Sequence, residues 1–292
     1  MNLLYITDGD ISKVKNASSH FFAMAQALQD LGHRLTIVAP IYALTGGTKQ
    51  INGLNVRFLP SITKGIVGYA FFQAYQTLYL TWRCLFKRPD AIYARSGFTN
   101  FAPLLVAKLF RVPHFMEING LIEDEFEARG KSRHIINLIQ RWNRFALPKA
   151  TALVAVTEGI KNELNKRKGI PLDRIHVIPN GTDTQRFQSM DKSTSRVALG
   201  LETSKKQLGF VGTFRKWQGL HILMEAFKDY PELSEHYDLV LVGDSGDSYE
   251  AALRQVVSDN KLTNIQFYGR IDHDDIPSVI ATFDICMAPF IR

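Results

Sequence analysis

Short runs of branched apolar residues alternate with helix-length amphipathic segments along nearly the whole chain, a rhythm that admits few folds. It opens with a strand over 3–7, a helix over 18–31 and a strand over 34–40, with Gly32-His33 as the stop between the last two. Strands that alternate with helices in this way build a parallel sheet. The same reading places strands at 91–95, 114–118, 152–156 and 175–179, with helices over 101–110, over 132–147 and from Glu158. The first half therefore accommodates about six strands.

Between 180 and 204 the apolar periodicity lapses into Gly, Thr, Asp, Ser and Lys, which places the interdomain connection there and divides the chain into 1–185 and 186–292. A second alternation follows, with strands over 207–212, 239–243, 265–268 and 285–288 and helices over 220–227, 249–260 and 276–281. An open doubly wound sheet normally has more strands than this, covered on both faces. The expectation is that part of the second domain lies beyond Arg292.

At 292 residues, 46% hydrophobic and 22% charged, the chain is long enough for two cores and is neither disordered nor of low complexity. Its two cysteines, Cys84 and Cys286, exclude a disulfide framework and a Cys-rich zinc site, and their apolar neighbours suit small buried side chains in a reducing cytosol. The start reaches Asp8 and Asp10 without a basic segment or a long apolar run, so it reads as a first strand and not as a secretory signal. Thirty-five basic against 28 acidic residues give a net charge of +7, which favours an anionic partner.

The common nucleotide and hydrolase signatures are missing: there is no G-x-G-x-x-G, no P-loop, no H-E-x-x-H and no G-x-S-x-G. What remains is Gly209-Phe210-Val211-Gly212-Thr213-Phe214-Arg215-Lys216-Trp217-Gln218-Gly219-Leu220, a buried strand, a loop with two cations and a helix start. Backbone donors and the positive end of a helix dipole converge there, and an Arg with a Lys adds full charge, so the segment suits a diphosphate. By itself it equally suits two solvated loop residues. Val177-Ile178-Pro179-Asn180-Gly181-Thr182-Asp183 precedes it and Val240-Leu241-Val242-Gly243-Asp244-Ser245-Gly246 follows it.

This ordered series resembles the retaining glycosyltransferases of family 4, the group 1 or glycogen-synthase-like enzymes of α/β GT-B fold. In these, two Rossmann-like domains with parallel sheets face each other across a cleft. The likeness extends to Leu31-Gly32-His33-Arg34-Leu35-Thr36-Ile37-Val38 and Glu117-Ile118-Asn119-Gly120-Leu121. It is nearest to the branch with an aromatic residue in the phosphate loop, here Trp217-Gln218-Gly219, which often acts on cell-surface polysaccharides. The resemblance implies a hexosyltransferase that moves a sugar from a nucleotide sugar to a surface-polysaccharide or glycolipid acceptor, with retention at the anomeric carbon and no metal or other cofactor. Residues 1–185 would then be the acceptor-side domain and 186–292 the nucleotide-sugar-binding one.

Carried over residue by residue, the resemblance makes Arg215 and Lys216 the catalytic cations on the diphosphate. Donor-binding positions are Gly212, Thr213, Gln218, Gly243, Asp244, Gly269 and Arg270, with Asn16 and Ser18 from the first-domain loop; acceptor-side positions are Glu117 and Asn119. The chain departs from the family at Thr213 and Gln218, where Arg and Lys are common, at 15–19, where Gly-Gly is common, and at Asn119, where many members have His. The family's two glutamates spaced eight apart have no counterpart before Arg292, in line with the expected missing segment.

Other features carry less. Asp272-His273-Asp274 has the form of a metal-binding D-x-D, but it precedes Asp275-Ile276-Pro277, so Asp272 or Asp274 reads as a helix N-cap and no metal is assigned. His20, His33 and His221 fit packing at helix and strand ends, and 123–127 reads as a solvated acidic turn, with an acceptor-cleft role as the alternative. Residues 65–82 are uncharged but interrupted by Gln73, Gln76 and Thr77, which suits a buried or interfacial helix better than a spanning one. Residues 128–149 are basic, acid-free and amphipathic, a composition for an anionic membrane surface or for a core helix with a solvated basic face. A cytoplasmic protein follows, peripheral on the inner face of the plasma membrane if the lipid reading holds. The rival readings are a nucleotide-sugar epimerase or phosphorylase on the same plan and a non-catalytic nucleotide-sugar or membrane-binding module. Nucleic acid is not an expected partner, since the basic residues join no recognised motif.

Overall fold

The computed structural model describes residues 1–9, 11, 20–51, 53–61, 66–95, 101–128, 130–201 and 204–291. The chain forms two compact units, Met1–Gly181 and Thr182–Arg292, each built on one sheet. The first unit holds β1 (Asn2–Ile6), β2 (Arg34–Ile41), β3 (Gly47–Ile51), β4 (Leu54–Pro60), β5 (Ala91–Arg95), β6 (His114–Ile118), β7 (Ala152–Ala155) and β8 (Ile175–Val177). Their spatial order is β3-β4-β2-β1-β5-β6-β7-β8, parallel throughout except for the β3–β4 pair.

Eight strands replace the expected six. The addition is the β3–β4 hairpin, whose first strand Gly-Thr-Lys-Gln-Ile is mostly exposed at the sheet edge and so has no core-facing alternation. The overlooked signal is Asn52-Gly53, a dipeptide favouring a tight hairpin turn, and Ile51 does pair with Leu54 across it.

The helices of this unit are α1 (His20–Asp30), α2 (Ile66–Phe86), α3 (Phe101–Leu109), α4 (Ile122–Ala128), α5 (Arg133–Ala146) and α6 (Glu158–Lys168). Strand alternation decides where they pack. Leu4 and Ile6 of β1 turn to a core shared with Phe72 and Leu80 of α2 and with Ala102 and Val106 of α3. Tyr5 turns the other way and stacks on Phe21 of α1, ring centroids 4.4 Å apart. The α5 helix sits beside α3, with Phe101 and Trp142 rings 5.7 Å apart, and Leu164 of α6 packs on Met116 and Ile118 of β6. Full burial of each such side chain is worth about 1.5–3 kcal/mol.

The second unit comprises α7 (Lys192–Leu199), β9 (Lys206–Val211), α8 (Leu220–Asp229), α9 (Leu233–His236), β10 (Tyr237–Val242), α10 (Ser248–Asp259), β11 (Ile265–Gly269), α11 (Ile276–Thr282) and β12 (Ile285–Cys286). Its parallel sheet runs β11-β10-β9-β12. Leu220, Leu223, Met224 and Phe227 of α8 bury against Leu208, Phe210 and Leu241, while Val240 and Val242 face Val279 and Phe283 on the opposite side.

Three local expectations are corrected. The α7 helix occupies part of 180–204, which had read as a connection. Its signals are caps and not apolar periodicity, with the Asp191 side chain accepting from Thr194 N–H and Gly200 closing the helix at φ 63°. Neither Asp272 nor Asp274 makes a side-chain cap; α11 starts from Asp275, and Asp274 pairs with Arg186. Cys84 is buried as expected, but Cys286 is exposed because β12 lies at the sheet edge. No helix among the described residues is long and apolar enough to cross a membrane.

Candidate functional site

In open α/β sheets, ligands gather at the carboxyl ends of the strands. In the second unit β9, β10 and β11 run into Gly212, Gly243 and Gly269 at that edge. Gly212 N–H donates to Val242 C=O at 2.9 Å and Gly243 N–H to Gly269 C=O at 2.7 Å. Gly243 has φ 124°, and a Cβ on it would fall 1.9 Å from the Gly212 carbonyl oxygen. At Gly243 the neighbouring strand end therefore approaches too closely for a side chain, and with Gly212 and Gly269 on either side the edge is a bare backbone shelf.

The loop after β9 is built over this shelf. Phe214 is fully buried and its N–H donates to Asp244 C=O at 3.2 Å, pinning the loop from below. Gln218 Oε1 accepts from Arg215 N–H at 3.3 Å, so the residue standing where the family commonly has Lys clamps the turn. Thr213, Arg215 and Lys216 are exposed. Arg215 Nη1 lies 3.1 Å from Asp247 Oδ2, whereas Lys216 makes no ion pair among the described residues. Arg270 Nε stands 3.9 Å from Asp244 Oδ1, both side chains being solvent-exposed.

The next loop is held by two acids that sequence reasoning missed. Asp247 accepts from Tyr249 N–H and Glu250 N–H, and the Ser245 hydroxyl bonded to it, followed by those backbone donors, holds its carboxyl below the ordinary value. Glu250 accepts from Ser245 N–H at 2.8 Å and Gly246 N–H at 2.9 Å, and these bonds pull its carboxyl down to about 2. Asp247 before the α10 apolar run was a legible N-cap signal; Glu250 had none. Every sequence-derived position of the second unit, namely Gly212, Thr213, Arg215, Lys216, Gln218, Gly243, Asp244, Gly269 and Arg270, thus lies at one sheet edge or in the loops that leave it. Chemically the edge offers an anion several cations and an approach unobstructed by side chains, the N–H groups of Gly212 and Gly243 being already bonded to neighbouring carbonyls.

In the first unit Asn16 and Ser18 lie outside the described residues. Glu117, at the carboxyl end of β6, is 1% exposed and gathers a polar cluster. Tyr93 Oη donates to its Oε2 at 2.9 Å and Asn119 Nδ2 to its Oε1 at 2.7 Å. His20 Nε2 is 3.2 Å and Arg95 Nε 3.7 Å from Oε1. His20 is therefore no simple packing residue, which corrects the sequence reading; Tyr93, Arg95 and His20 reach Glu117 from two other elements and left no local signal. Burial first, and then Glu117, raise the Tyr93 phenol, which keeps it a donor.

Asp8, two residues beyond β1 on the same edge, accepts from Tyr69 Oη at 2.6 Å, and burial pushes its carboxyl up from 3.8 to about 6. Because the folded chain then holds this proton to higher pH than the unfolded one, Asp8 costs no stability near pH 4 and costs the full amount above about pH 6. The loss is on the order of 2–3 kcal/mol. Asp8→Asn should remove it, so in urea unfolding the variant should gain on the parent between about pH 4 and about pH 7.5. A constant gap across that range would refute the assignment.

The acidic segment 123–127 is corrected from a solvated turn to part of α4. Glu123 forms an ion pair with Lys168 at the end of α6, each side chain 4% exposed, and Arg167 meets Asp124 at 2.7 Å beside it. The pair anchors the backbone that leaves β6 through Asn119 and Gly120.

Comparison with known proteins adds context. Residues 17–186 match the Glycosyltransferase Family 4 model and residues 191–292 the Glycosyl transferases group 1 model. An uncharacterized glycosyltransferase of Methanocaldococcus jannaschii is 22% identical over 92% of the chain and 69% of its own length. The lipopolysaccharide core biosynthesis mannosyltransferase LpsB of Rhizobium meliloti is 28% identical over 70% of the chain, which spans 55% of that protein. Among solved structures, a glycosyltransferase from Rickettsia africae superposes with a TM-score of 0.74 at 16% identity, covering 100% of this chain and 73% of its own. Anabaena HepE in complex with UDP gives 0.72 at 17% identity, covering 99% and 74%.

Proposed function

Because the chain belongs to Glycosyltransferase Family 4, its second half matching the group 1 glycosyl transferases, we propose that it moves a sugar from a nucleoside-diphosphate sugar to a surface-polysaccharide or glycolipid acceptor with retention of anomeric configuration. The observation that carries this reading is the bare shelf of Gly212, Gly243 and Gly269 flanked by Arg215, Lys216 and Arg270. A diphosphate needs cations at close range, and a side-chain-free edge permits that approach. That HepE, a protein of the same fold, was solved with UDP supports a nucleoside diphosphate here.

As the glycosidic bond breaks, negative charge grows on the departing diphosphate. Lys216 and Arg215 stabilise that charge more in the transition state than in the bound donor. Thr213, Gln218, Asp244 and Arg270 shape the donor pocket, and the Glu117–Asn119 cluster orients an acceptor hydroxyl. No metal enters this scheme, since fixed cations take its role. The reaction belongs in the cytoplasm, where the acceptor is a glycan or a lipid-linked glycan.

Calorimetric titration with UDP, GDP and ADP in parallel tests the donor site. One nucleotide should bind saturably, and Lys216→Ala and Arg215→Ala should each weaken it by about 1.5–3 kcal/mol. Lys216 should show the larger loss, because Arg215 must give up Asp247 to reach phosphate. Unchanged affinity in both variants would move the diphosphate elsewhere.

A further inference from the structure

The α2 helix has no polar solvent face. Its exposed side chains include Val67, Phe71, Tyr75, Leu78, Trp82 and Phe86, spaced three or four apart along one stripe. The one charged residue of the helix, Arg83, is half-buried, with Nη2 3.2 Å from Thr36 Oγ1. A helix that is apolar all round is normally covered on every side, whereas among the described residues the sheet and α3 cover this one and leave the stripe exposed. The stripe does not end with the helix. Phe101, Leu105 and Leu109 are exposed on α3, which packs on α2, and Leu138 and Phe145 are exposed on α5 beside it.

Charge decides what covers this layer. The α2, α3 and α5 helices contain no aspartate or glutamate. Lys108, Arg141 and Arg144 are exposed on the same helices and make no ion pair among the described residues. A second copy docked face to face would set cations against cations. A surface with apolar depth and anionic headgroups satisfies both features, since aromatic and aliphatic side chains enter the acyl boundary while Arg and Lys stay at headgroup level.

We propose that the outer face of α2, α3 and α5 is a docking surface for anionic lipid bilayers, on which the first unit lies without spanning the membrane. The stripe supplies depth, and Lys108, Arg141 and Arg144 supply selectivity for negative headgroups. This placement does not depend on the donor site in the second unit.

The test is co-sedimentation of the purified chain with vesicles of phosphatidylcholine alone and with about one third phosphatidylglycerol. The chain should pellet with the anionic vesicles, and salt should weaken the binding. Arg141→Ala with Arg144→Ala should lower the partition coefficient by about fivefold per charge. Leu78→Glu with Trp82→Glu should abolish binding while leaving the thermal midpoint in place, as both side chains are exposed. Protein that stays in solution with anionic vesicles, or a glutamate variant that still pellets, overturns the proposal. A concentration-dependent dimer that the glutamate variant dissociates would overturn it too, giving the face to a second copy. The assay contains no nucleotide, so its failure leaves the donor reading untouched.

Discussion

Replacing Glu123 by Ala should destabilise the first unit by about 3–5 kcal/mol, the range expected when one member of a buried ion pair is removed and its partner is left behind. Lys168 has nowhere to go: its side chain is 4% exposed and its ammonium group faces Glu123. The exposed neighbouring pair, Arg167 with Asp124, is worth at most about 1 kcal/mol and does not compensate. Replacing both residues, Glu123→Leu with Lys168→Met, should recover most of the loss, because the desolvation cost of two charges disappears with their attraction. Urea unfolding of the two single variants and the double variant measures this. A Glu123→Ala variant within about 1 kcal/mol of the parent would show that the pair carries no weight.

Glu117→Ala should act on stability and transfer together. Tyr93 and Asn119 lose their acceptor in a partly buried cluster, and at about 1–3 kcal/mol for each stranded group the loss is at most roughly 2–6 kcal/mol. Since the cluster fixes Asn119, Arg95 and His20 relative to one another, transfer should fall by about a hundredfold, the effect of misplacing a reactant by about 1 Å. Nucleotide affinity should stay where it was, since the proposed donor site lies in the second unit. Glu117→Gln keeps one oxygen acceptor and should restore part of the stability without restoring the rate. If both substitutions lowered nucleotide affinity in step with stability, the cluster would be a structural support and not an acceptor site.

These two carboxylates also mark where sequence reasoning stops. The β5 and β6 strands were legible residue for residue, because parallel strands covered on both faces read as continuous apolar runs. The glycine-ended strands of the second unit were legible as an ordered series for the same reason. Glu123 was read as solvent-facing because its partner lies 45 positions away and nothing nearby announces it. His20 was assigned to packing for a similar reason: Glu117 reaches it through the sheet and not along the chain. The β3 strand and α7 escaped by another route, since both are specified by turn and cap residues while the reading relied on periodicity.

The three tryptophans of the chain are distributed so that they report on different events. Trp82 lies in the exposed stripe of α2, and Trp142 beside Phe101 in the same layer. Trp217 alone belongs to the second unit, sits between Lys216 and Gln218, and rests against Phe290 with ring centroids 5.4 Å apart. The protein thus carries its own optical labels. With Trp82 and Trp142 replaced by Phe, the remaining emission comes from the loop after β9, and if the proposed donor site lies there it should follow nucleotide occupancy. With Trp217 replaced instead, the emission follows the surroundings of the helical layer. Occupancy of the loop and immersion of the helices become separately readable in one cuvette, without any attached dye.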